Sequence, residues 1–103
     1  MSGVKTSDTQ PQARQVPARQ VTLRYFAWVR ERTGISEETF ALPADVVTVR
    51  DLMTALQQRG EGFASAFAHP EMIRAALDRV HVKSNAPIGN AREIGFFPPV
   101  TGG

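Results

Sequence analysis

Few side chains in this sequence are equipped for chemistry, and they do not stand at working spacings. His69 and His81 are the two histidines; they sit in unlike contexts and lack the spacing of paired metal ligands. Glu37 and Glu38 are adjacent, so on a strand they point to opposite faces and cannot share a reacting atom. Gly60 and Gly62 flank Glu61 without the lysine or the strand–turn–helix order of a phosphate cradle. Lys5 and Lys83 are the only lysines, and nothing around either marks it as activated. Cysteine is absent, which excludes disulfides, thiolate metal sites, iron–sulfur clusters and a cysteine nucleophile. The folded body reads as catalytically inert, with no metal site and no permanently bound cofactor. Chemistry is left to the end of the chain.

That end runs Phe96-Phe97-Pro98-Pro99-Val100-Thr101-Gly102-Gly103. A terminal diglycine alone is explained by a frayed end after a proline stop. The whole octet asks for more. On an extended strand Phe96 and Phe97 face opposite ways, so one can anchor in a core while the other faces out. Burying one is worth about 1.5–3 kcal/mol, enough to set where the tail leaves the domain. Pro98 and Pro99 stiffen the exit and reduce the entropy lost if the tail is threaded into a partner. Gly102 and Gly103 carry no side chains, so a narrow channel can admit them and reach the terminal carboxylate. These are the features of a carrier whose chemistry happens in a partner's pocket.

The elements that position this tail are partly legible. In Gln20–Ala27, Val21, Leu23 and Tyr25 alternate with Thr22, Arg24 and Phe26, a period-two strand pattern. Trp28–Gly34 predicts one or two helical turns closed by Gly34. Glu37–Leu42 predicts a second strand, antiparallel to the first. The best-marked element is a helix from about Thr48 to Arg59, ended by Gly60. Thr48 is a good N-cap, Asp51 gives a capping-box start, and Val47 and Leu52 stand at hydrophobic-staple spacing. Val49, Leu52, Met53 and Leu56 form its apolar stripe, which belongs to a core. Phe63, Ala64 and Phe67 suggest a short helix, whereas Met72–Leu77 suits helix and strand equally. Val80–Lys83 alternates like a strand, Asn85, Pro87, Gly89 and Asn90 are turn residues, and Glu93–Val100 closes as a strand that must stop at its prolines. The expected class is α+β, with a central helix across one face of a mixed sheet.

Length allows one domain. Residues 1–19, rich in Ser, Thr, Gln, Pro and Arg, are expected to be a disordered extension, with the domain spanning 20–103 and a flexible tail at 98–103. The net charge of +2 lies in that extension, where Lys5, Arg14 and Arg19 outnumber Asp8. Over residues 20–103 the nine basic and nine acidic residues cancel, so no basic stripe recommends nucleic acid. No apolar run suggests a signal sequence or a membrane span, and a cytoplasmic protein is expected.

The octet FFPPVTGG resembles the C-terminal signature of the small subunits of molybdopterin synthase, sulfur carriers with a ubiquitin-like β-grasp fold of four to five strands. Tyr25-Phe26-Ala27-Trp28-Val29-Arg30-Glu31 resembles the family's first strand and following turn, and Thr48-Val49-Arg50-Asp51-Leu52 the start of its helix. The resemblance implies that Arg74–Leu77 is a strand, Asp78-Arg79 a turn and Val80–Lys83 the next strand. It also implies a cycle. An ATP-dependent, ubiquitin-activating-like enzyme adenylates the carboxylate of Gly103, and a sulfur donor protein converts it to a thiocarboxylate. The tail, from Phe97 through Pro98, Pro99, Val100 and Thr101 to Gly102, then enters the large synthase subunit, which supplies the catalytic side chains. Sulfur passes to cyclic pyranopterin monophosphate within a heterotetramer. Phe26, Arg30 and one face of the last strand are the implied docking surface. Asp78, where the family often has Asn, and Arg92, near which it has an acidic turn residue, depart from the pattern in loops. The diglycine also fits a carrier for thiazole, cysteine or tRNA thiolation, a ubiquitin-like modifier of lysines, or an interaction domain with an inert tail.

Overall fold

The computed structural model describes residues 19–99. Its elements are β1 (Arg19–Tyr25), α1 (Ala27–Thr33), β2 (Glu37–Leu42), α2 (Val49–Gln57), α3 (Glu61–Ala66), a 3₁₀ turn at Pro70–Met72, β3 (Arg74–Leu77), β4 (Val80–Val82) and β5 (Glu93–Phe97). The strands form one mixed sheet in the order β2-β1-β5-β3-β4. β1 and β2 are antiparallel, from Arg19 opposite Leu42 to Arg24 opposite Glu37. The first and last strands lie side by side in parallel, with Leu23 beside Ile94 and Tyr25 beside Phe96. β3 is antiparallel to both β5 and β4. The segment that becomes the tail is thus the middle strand of the sheet.

Alternation sorts the strand residues between two faces. Val21, Leu23, Tyr25, Ala75, Ile94 and Phe96 turn inward and join Val49, Leu52, Met53 and Leu56 of α2 in a single core. Phe67 closes it, meeting Phe96 edge-on at 5.1 Å between ring centroids. Each such side chain contributes about 1.5–3 kcal/mol by leaving water. Thr48 caps α2: its hydroxyl accepts from the Asp51 N–H at 3.1 Å, while the Asp51 carboxylate accepts from the Thr48 N–H at 3.0 Å. Those backbone donors, Thr48 first and then Val47, hold the Asp51 carboxyl below its ordinary range. Among the described residues no helix covers the opposite face of the sheet.

Several expectations shift at element ends. β1 begins at Arg19 and stops at Tyr25, because Phe26 is the N-cap of α1 and Ala27 its first residue, with a left-handed φ of 53°. Gly34 closes α1 as expected, its φ of 84° letting its N–H donate to Arg30. α2 stops at Gln57; Gly60 does not end it but stands at the N-cap of α3 with φ 134°. Val47 is 56% exposed, so it does not bury itself as a staple. β4 ends at Val82 and excludes Lys83, and β5 ends at Phe97, where Pro98 has no N–H to continue a ladder. The 3₁₀ turn ends at Met72 and β3 spans Arg74–Leu77, the strand that the resemblance implied and periodicity alone did not.

Two polar clusters tie these layers together. The Tyr25 hydroxyl donates to Glu38 Oε2 at 2.7 Å, and Arg59 grips the same carboxylate at 2.6 and 2.9 Å. Burial works to raise the Glu38 pKa, but the Arg59 hydrogen bonds, the Tyr25 donor and the guanidinium charge outweigh it, and the carboxyl lies below its ordinary range. Burial, then the Glu38 acceptor and its charge, push the Tyr25 phenol well above its usual value. At the β3–β4 turn, Asp78 and Arg79 both take positive φ, as a two-residue hairpin of the I′ kind requires. Asp78 Oδ1 accepts from the Arg92 and Glu93 N–H groups, each at 3.0 Å, so this turn clamps the start of β5.

Candidate functional site

On the helix-free face, one row crosses four strands. Arg24 of β1 lies beside Gly95 of β5, Gly95 beside Ala76 of β3, and Ala76 beside His81 of β4. Two small residues in the middle of this row leave a shallow trough of about 400 Å³. Gly95 and Ala76 form its floor, and Phe26, Phe97, Arg24, Arg79, His81 and Glu93 surround it.

The aromatic walls are placed by specific local features. Tyr25 faces the core, so its neighbour Phe26 faces out, with its N–H still donating to Phe96 at 3.1 Å. The left-handed turn at Ala27 follows at once. Phe26 is 39% exposed, and its ring edge lies where a Cβ on Gly95 would approach Cε2 to 3.3 Å. Arg24 spans the ring at 5.4 Å from its centroid and reaches Glu93 at 3.5 Å and Glu37 at 3.6 Å. On the other side Phe97 packs against His81, with ring centroids 5.0 Å apart. Phe96 and Phe97 do part company: Phe96 is fully buried and Phe97 is half-buried on the trough. Pro98 and Pro99 continue from the trough's edge.

Of the candidates named from sequence, Phe26 and Phe97 are brought together here. Arg30 is exposed on α1 and does not line the trough. Val100, Thr101, Gly102 and Gly103 lie outside the described residues. The outward face of the last strand, also named from sequence, supplies Glu93 and Gly95, whereas sequence reasoning missed Arg24, Ala76, Arg79 and His81. Gly95 offered a signal, since glycine inside an apolar strand often marks a close approach. Among the described residues no cluster of three or more His, Asp or Glu could hold a metal ion, and no helix is long and apolar enough to cross a membrane. The trough can hold an apolar partner surface beside Pro98 and Pro99.

The ThiS family pattern matches residues 23–103, nearly the whole described domain and the tail beyond it. The chain belongs to this family. A molybdopterin synthase sulfur carrier subunit of Escherichia coli is 32% identical over 83 residues, covering 81% of this chain and 99% of that protein. A solved structure from Pyrococcus furiosus, described as molybdopterin converting factor subunit 1, matches with a TM-score of 0.60 and 27% identity over 79% of this chain and 98% of its own. A complex of subunits 1 and 2 of the molybdopterin-converting factor from Helicobacter pylori matches with a TM-score of 0.51 and 26% identity, over 82% of this chain and all of the matched one. The ThiS family chain has the mixed five-stranded sheet and helices of a ubiquitin-like β-grasp protein. Its match extends to Gly103, so the terminal octet falls within the matched range.

Proposed function

We propose that this chain is the sulfur carrier of a molybdopterin synthase and that Gly103 carries the sulfur. One observation carries the reading: the terminal octet, which lies within the family match, begins in the middle strand, beside an open trough suited to a partner. In this reading the chemistry is completed in the large subunit, which supplies the catalytic groups. A free carboxylate is a poor electrophile. Adenylation by an ATP-dependent activating enzyme gives the Gly103 carbonyl a leaving group, AMP, which a sulfur donor replaces to leave the thiocarboxylate. The large subunit takes up the tail, and sulfur passes to cyclic pyranopterin monophosphate.

In this reading each part has a physical task. The buried Phe96 fixes the strand, while Asp78 holds its start. Phe26 and Phe97 present apolar surface to the large subunit, and Arg30 on α1 adds a charge at the margin of that contact. Phe97, Pro98, Pro99, Val100, Thr101 and Gly102 form the inserted tail.

Intact mass of the protein, purified with its activating enzyme and sulfur donor, tests the proposal. The expected species is heavier by one oxygen-to-sulfur exchange and vanishes on deleting Gly103, with the fold unchanged. An unmodified mass after incubation with ATP, activating enzyme and sulfur donor would sink it. Amide adducts to lysines of other proteins would assign the chain to the modifiers instead.

A further inference from the structure

We infer that Arg24 is a positioning residue of the docking site: held between two carboxylates of its own chain, it fixes the Phe26 ring in the orientation that the large subunit meets. This rests on the docking reading above and adds to it the group that shapes one wall. The backbone at Phe26 is pinned from both sides. Its N–H donates to the Phe96 carbonyl at 3.1 Å, and its own carbonyl accepts from Val29 at 3.1 Å and Arg30 at 3.3 Å. What remains free is the choice of side-chain rotamer, in a residue 39% exposed. Two contacts act on that choice. The ring edge lies against Gly95, where no Cβ pushes it away. The guanidinium carbon of Arg24 stands 5.4 Å from the ring centroid, within cation–π reach. Among the described residues no second aromatic ring packs on Phe26, whereas Phe97 has His81.

Arg24 can hold the ring because it is itself held. An untethered arginine spreads over many rotamers and orders nothing beside it. Here Nε lies 3.6 Å from Glu37 of β2 and Nη1 lies 3.5 Å from Glu93 of β5, the two strands that flank β1. Arg24 and Glu37 are direct cross-strand partners, so sheet register sets their approach. Either pair alone is a weak surface contact. Together they restrain one guanidinium from opposite sides. The charge of Arg24 is thus answered within the chain, and its effect on docking passes through the ring. Without it, Phe26 samples several rotamers, and docking must freeze one of them at an entropic cost.

The test compares the natural chain with Arg24→Thr, Phe26→Leu and the double variant. Threonine removes the guanidinium and keeps a residue that favours strands. In the free chain, nuclear Overhauser effects between the Phe26 ring and the Gly95 α-protons should be strong, and Arg24→Thr should average them away. In titrations with the purified large subunit from the same organism, Arg24→Thr should raise Kd roughly two- to fivefold, the size of an exposed cation–π contact. The same substitution should leave Kd unchanged where Phe26 is already leucine. Any direct force between the partner and Arg24, or the carboxylates it releases, is present in both backgrounds and cancels in this cycle. Circular dichroism checks that every variant is folded. A ring that keeps its Gly95 contacts without Arg24, or a change in Kd that is the same in both backgrounds, would overturn the inference. Phe26→Leu docking as tightly as the natural chain would instead overturn the docking reading itself.

Discussion

Gly95→Ala separates the stability of this fold from its proposed docking surface. In a strand interior, replacing glycine with alanine favours folding by about 0.5–1 kcal/mol, because the unfolded chain loses freedom. Against this, the new Cβ would meet Phe26 Cε2 at 3.3 Å, closer than ordinary contact. The atom it meets is the edge of a ring that is 39% exposed, so the ring can move outward by a few tenths of an ångström without displacing the core. The two effects nearly cancel, and stability should stay within about 1 kcal/mol of the natural chain. Docking should not be spared. The methyl raises the floor where a partner side chain would seat, and the tilted ring spoils the wall, a mismatch of about 1–2 kcal/mol or roughly a five- to thirtyfold rise in Kd. Urea unfolding followed by the single tryptophan, Trp28, measures the first quantity, and titration with the large subunit measures the second. Equal affinity with equal stability would refute the trough as the docking site. A stability loss well beyond 2 kcal/mol would show that Phe26 cannot yield as argued.

Two further outcomes test the scaffold. Gly62→Ala in α3 should destabilise by about 1–3 kcal/mol despite alanine's better helix propensity, since its Cβ would collide with the Arg32 backbone carbonyl of α1; stability equal to or above the natural chain in urea would refute the close approach. Glu38→Gln should cost about 1–3 kcal/mol at neutral pH by removing the charge that Arg59 and Tyr25 both address. Because the Glu38 pKa is depressed on folding, its contribution is complete above the ordinary carboxylate range and disappears as pH falls through the lower, folded value. Unfolding profiles of the two proteins should therefore converge in acid, and a constant gap would show that the carboxylate charge is not responsible.

Local pattern carried much of this protein. The cap at Thr48, the apolar stripe of α2 and the alternation in β1 are interactions between residues a few positions apart, so spacing along the chain reveals them. The terminal octet is likewise contiguous, and its split between inward Phe96 and outward Phe97 follows from strand geometry alone. Residues 72–77 were different. A short apolar run satisfies helix and strand equally, and β3 is decided by its neighbours β5 and β4.

The grouping of side chains in the trough belongs to the second category, although Phe26 and Phe97 were named from sequence. Arg24, Ala76, His81 and Gly95 are assembled by three strand registers, and no periodicity within a single strand states which residues will stand side by side. The same holds for Glu38, which as one of two adjacent glutamates looks like a surface charge until β1 and the turn after α2 bring Tyr25 and Arg59 to it. Sequence alone thus determined most of the elements and marked the terminal octet, because those depend on short-range spacing and on the chemistry of single residues. Tertiary structure alone decided which side chains surround the place where the tail departs, because sheet order joins the first strand to the last.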